Sequence, residues 1–101
     1  ETNNIKVKEI SVSYPLKFKG QYTVQIVSKP SLEEARKYQL KLINFGYDAY
    51  IQKVFLKNKD EIWWRVRVGN FNDLSIANAV RTQLVEYFGE VIWIDNVRKE
   101  D

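Results

Sequence analysis

The chain has 101 residues, 45% hydrophobic and 29% charged, which is enough for one modest core and too apolar for a disordered segment. Sixteen Lys and Arg against 13 Asp and Glu leave a formal charge of +3, which tolerates an anionic or polar polymer without demanding nucleic acid. The absence of Cys and His excludes thiolate and imidazole chemistry and the usual soft metal ligands, so no cofactor or metal is expected. No apolar run approaches the length of a membrane span, and no signal peptide is visible. The chain opens on Glu1, so it is expected to be a piece of a longer protein.

Residues 1–20 mix Ile5, Val7, Ile10, Val12 and Tyr14 with Lys and Ser. This segment reads either as a tether or as an extra edge strand guarded by Lys. From Tyr22 to Ser28, Val24 and Ile26 alternate with Thr23 and Gln25, the period of a half-buried strand. Lys29-Pro30 ends it. Ser31, with Glu34 three residues on, has the spacing of a capping box. Leu32, Ala35, Tyr38, Leu42 and Phe45 then form one helical stripe closed by Gly46. A second strand runs from about Asp48 to Phe55, with Ala49 and Ile51 on one face and Tyr50 and Gln52 on the other. Residues 57–61 (KNKDE) form the hairpin turn.

The third strand, Ile62 to Gly69, points Trp64, Val66 and Val68 to the core and Trp63, Arg65 and Arg67 away from it. Asp73 is an N-cap candidate. Leu74, Ala77, Val80, Leu84 and Phe88 make a second helical stripe, ended by Gly89. The last strand spans about Glu90 to Val97, with Ile92 and Ile94 facing the helices and Val91, Trp93 and Asp95 facing away. Val24-Gln25-Ile26 and Ala35 recur as Val66-Arg67-Val68 and Ala77, both at an offset of 42 (66−24, 77−35). Two copies of strand, helix, strand make a β-α-β-β-α-β unit. The expected fold is therefore α+β and ferredoxin-like (RNP-like). It is a four-stranded antiparallel sheet of order 4-1-3-2 with two helices on one face. The repeated domain covers 21–98, and 99–101 form a tail.

The opposite sheet face is expected to be open and to hold Thr23, Gln25, Tyr50, Gln52, Trp63, Arg65, Arg67 and Trp93. Exposed Trp on a sheet calls for something to cover it. The cover is a ligand polymer, a partner protein, a second copy of the chain or residues 1–20; alternatively the alternation slips and Trp63 is the core residue. Flat rings beside Arg and Gln suit glycans or single-stranded nucleic acid. Only Trp63 is an outward ring on the third strand, a short stacking ladder that ranks nucleic acid second. Every carboxylate has a non-catalytic reading: Glu33 and Glu34 lie in a first helical turn, Asp60 and Glu61 in the hairpin, and Asp73 is a cap. Asp95 has no evident partner on the open face. No acid–base pair emerges, so no enzyme is expected.

YTVQIVS in the first copy and WWRVRVGNF in the second resemble the sporulation-related repeat (SPOR) domain across roughly residues 21–97. The resemblance implies a bacterial cell-wall module that binds peptidoglycan glycan strands lacking stem peptides, gathers at division sites and works in the periplasm or cell wall. It also implies a parent protein that is membrane-anchored or secreted, and the domain itself is expected to be monomeric. By position, the family's glycan contacts fall on Gln25, Ser28, Trp63, Arg65 and Trp93. The family's Gly-Ser-Phe is replaced here by Val27-Ser28-Lys29, which leaves Ser28 either a ligand contact or a strand-end turn residue.

Overall fold

A computed structural model describes residues 20–89 and 92–97. The elements run β1 (Tyr22–Lys29), α1 (Leu32–Asn44), β2 (Ala49–Leu56), β3 (Glu61–Phe71), α2 (Leu74–Phe88) and β4 (Trp93–Asn96). The sheet order is β2-β3-β1-β4 with every neighbouring pair antiparallel, the arrangement expected from the duplicated unit. The possible edge strand within 1–20, the tail at 99–101, and Glu90 and Val91 lie outside the described residues.

The core is built twice from the same positions. Val24 and Ile26 on β1, and Val66 and Val68 on β3, pack against Ala35 and Leu42 of α1 and Ala77 and Leu84 of α2. The two Ala residues are fully buried, and their small side chains let each helix lie close on the sheet. Trp64 packs against this core, so the alternation does not slip at Trp63-Trp64.

Each helix starts where its cap dictates. The Ser31 hydroxyl accepts from the Glu34 amide at 3.1 Å, and the Asp73 carboxylate accepts from the Ser75 amide at 2.9 Å. The Ser75 hydroxyl and amide hold the Asp73 carboxyl below its usual range. Ser31→Ala should cost about 1 kcal/mol, measured as a shift of the urea midpoint with the slope unchanged. α1 ends in a Schellman motif, with Gly46 N–H donating to Ile43 O and Tyr47 N–H to Leu42 O.

Three expectations need correction. The helical stripes overrun the core: Phe45 and Leu74 are about half exposed. Phe45 lies outside the core cluster and instead meets the rings of Tyr87 and Phe88 at centroid distances of 5.1 and 6.1 Å. β3 runs two residues past Gly69, because Gly69 adopts φ +73 and an irregularity there lets Phe71 pair with Tyr22. The described part of β4 is only four residues long.

Candidate functional site

On the sheet face away from the helices, Gln25 on β1 sits opposite Arg67 on β3 and Trp93 on β4, and Tyr50 on β2 sits opposite Arg67. Cross-strand partners share a face, so these side chains converge, as do Arg65 and Gln52, the next pair along.

Ser28 reaches this face only because of a bulge. Strict alternation from Gln25 would send residue 27 to the Gln25 face and residue 28 to the helices. The pairing shifts between Gln25 and Val27, so that Val27 opposes Val66 and packs on the core, while Ser28 opposes Arg65. Lys29 then returns to the helix side and lies over the Tyr38 ring at 5.1 Å. The replacement of the family's Gly and Phe is thus accommodated: Val27 adds core contact, and the Lys29 ammonium takes an aromatic partner.

The centre of the face is not open as expected. Arg67 and Thr23 are 0% exposed, Tyr50 2% and Gln25 3%. The Arg67 guanidinium donates to Gln25 Oε1 from Nε (3.1 Å) and Nη2 (2.9 Å), and to Gln52 Oε1 from Nη1 (3.1 Å). It also donates to Asp95 Oδ2 from Nη2 (2.6 Å). One residue from each of the four strands therefore meets at a single cation, which a buried guanidinium requires if its desolvation is to be offset. Beside it, the Tyr50 hydroxyl donates to Thr23 Oγ1 (2.8 Å), which donates on to Val68 O. Asp95, without an evident partner in the sequence, is the counter-ion of this cluster. Its position two residues from Trp93, on the same face, was the one available signal.

The rim is more accessible. Trp93 is 47% exposed, and Ser28, Gln52, Trp63 and Arg65 are half-buried. Trp63 lies past the end of β1, on the two-stranded arm where Val54 faces Trp63 and Phe55 faces Ile62. Its indole N–H donates to Glu61 Oε1 at 3.0 Å, which commits the polar edge and leaves the ring for stacking. Among the described residues no His, Cys, Asp or Glu cluster is placed to hold a metal ion.

The structure thus brings Gln25, Ser28, Arg65 and Trp93 to one face of the four-stranded sheet, with Trp63 continuing that face on the arm. Chemically it is a donor-rich strip edged by flat rings over a buried ionic floor. A family model described as SPOR domain matches residues 19–93, well over half of the chain and across both copies of the repeat. No curated protein and no solved structure matches the chain significantly. Members of the matching family are generally non-catalytic, peptidoglycan-binding modules associated with the bacterial envelope. With the duplicated β-α-β core in the expected strand order and the matched residues running through it, the chain belongs to the SPOR domain family.

Proposed function

We propose that this domain is a non-catalytic module that binds peptidoglycan glycan strands lacking stem peptides, using the sheet face opposite the helices. Its setting would be a cell-wall or cell-division protein acting in the periplasm or at the cell wall. The observation that carries this reading is the β1 bulge, which turns Ser28 onto the face of Gln25 and opposite Arg65.

The roles follow from the chemistry of each group. Trp63 and Trp93 offer rings to the apolar faces of sugars. Arg65 and Ser28 offer donors to hydroxyls, acetamido carbonyls or lactyl carboxylates. Gln25 contributes from the floor of the strip. Its carbonyl oxygen is held by Arg67, so its amide NH₂ is the group that remains for a ligand acceptor.

Co-sedimentation with purified sacculi, before and after amidase removal of stem peptides, tests the proposal. Retention should rise after amidase treatment, and no retention in either state would sink the reading. Tight, salt-sensitive binding to single-stranded oligonucleotides instead would move the ligand class to nucleic acid. Trp63→Ala and Arg65→Ala should each weaken sacculus binding by roughly tenfold, about 1.4 kcal/mol. Both should leave the melting temperature nearly unchanged, since neither residue is in the buried core.

A further inference from the structure

A concave surface lies on the other side of the sheet. Leu32, Arg36, Gln39 and Leu40 of α1 face Ile51 and Lys53 of β2 and Trp64 of β3 across a groove of about 580 Å³. Its lining mixes the apolar Leu32, Leu40, Ile51 and Trp64 with the polar Arg36, Gln39 and Lys53, and Leu40 is 59% exposed. The charged residues lining it are Arg36 and Lys53, both cations, with no carboxylate among the lining residues. The Lys53 ammonium sits over the Trp64 ring at 5.4 Å. The sheet face that carries Ser28 and Arg65 is not involved.

The groove borders the outer edge of β2, the end strand of the sheet among the described residues. The Asp48 carbonyl accepts from the Gly69 amide and so points inward, to β3. The Ala49 carbonyl points outward and accepts from Gln39 Nε2 at 3.2 Å. Backbone groups alternate along a strand, so Ile51 and Lys53 repeat the outward orientation of Ala49. Their side chains, meanwhile, line the groove. An extended segment added to this edge would form main-chain hydrogen bonds with β2 and drop every second side chain beside Leu32, Leu40 and Trp64.

We propose that this groove and the β2 edge form a second binding site, which takes an extended acidic peptide segment of a partner protein with apolar residues at alternate positions. Charge complementarity selects this occupant. Two cations line the groove without a carboxylate to balance them, so a carboxylate-bearing strand gains where a neutral or basic one does not. The chain's own residues 1–19 carry Lys6, Lys8, Lys17 and Lys19 against Glu1 and Glu9, and a second copy carries a net charge of +3. Both are the wrong sign. Because the site is on the helix side, it leaves the opposite face available for a polymer, and a partner can be held while that face is occupied.

The test uses the whole 101-residue chain labelled with ¹⁵N and two capped octapeptides, (Leu-Glu)₄ and (Leu-Lys)₄. The acidic peptide should shift the Trp64 indole N–H and the Ile51 and Lys53 amides, leaving the Trp63 and Trp93 indoles in place. Lys53→Glu with Arg36→Glu, both at exposed positions, should weaken that binding by about tenfold or more while the melting temperature holds. The proposal is overturned by an absence of shifts with the acidic peptide or by equal shifts with the basic one. It is also overturned by shifts confined to Trp63 and Trp93, or by self-association of the free chain that moves the same groove resonances.

Discussion

Arg67→Met should destabilise the domain by about 3–5 kcal/mol, seen as a large fall in the urea midpoint. The substitution keeps much of the aliphatic stem but removes every donor that Gln25 Oε1, Gln52 Oε1 and Asp95 Oδ2 share. Gln25 is 3% exposed, so its carbonyl cannot turn to water for compensation. Arg67→Lys should recover only part of the loss, because an ammonium cannot present the fork that now serves three strands. Asp95→Asn should cost less than Arg67→Met: the Asp95 side chain is 26% exposed, so water already screens part of the pair. In the double variant Arg67→Met with Asp95→Asn, the two losses should fall short of additivity, since one partner's removal already breaks the pair. A loss below about 1 kcal/mol for Arg67→Met would mean that the four strands are held without this cation.

Two glycines share a left-handed backbone and differ in what surrounds them. Gly46 and Gly69 adopt φ of +93 and +73. A Cβ at Gly46 would meet nothing, so Gly46→Ala should cost about 1 kcal/mol of backbone strain alone. A Cβ at Gly69 would overlap the ring of Phe71, which packs against the core beside Tyr22. Gly69→Ala should therefore cost about 3 kcal/mol or more, from strain and overpacking together. Thermal unfolding of the two variants side by side checks this, and equal losses would show that Phe71 yields freely. Gly69→Ala should also reduce sacculus binding more than its stability loss explains. The irregularity at Gly69 sets the register in which Val68 meets Val24 and Arg67 meets Gln25.

The sheet faces were legible in the sequence because alternation is a local property: Trp64, Val66 and Val68 point to the helices and Arg65 and Arg67 away from them. The strand order was legible from the duplicated pattern. The bulge between Gln25 and Val27 was not, because it exists only in the pairing of β1 with β3, and nothing within YTVQIVS marks it. The same holds for the Arg67–Asp95 pair, whose members are 28 residues apart and on strands that are not neighbours. An outward Arg on a sheet suggests a ligand contact. Here the adjoining strands supply Gln25, Gln52 and Asp95, and the cation is spent on the protein itself. The helix-side groove escaped for the same reason: Arg36 and Lys53 look like ordinary solvated charges until α1 and β2 are set side by side.

Gln25 and Arg67 are 42 residues apart, the same offset that relates the two copies, and they are direct cross-strand partners. An approximate two-fold axis therefore pierces the sheet between them. In an assembly of two identical halves, whatever residue stood there would face its own duplicate. Two arginines would oppose like charges in a buried site, and two glutamines would leave Asp95 without a cation. Joining the halves in one chain lifts that constraint, so that a donor fork and an acceptor amide can occupy positions that symmetry would force to be the same. The point of greatest equivalence in the fold is thus where the two halves have most to gain from being different.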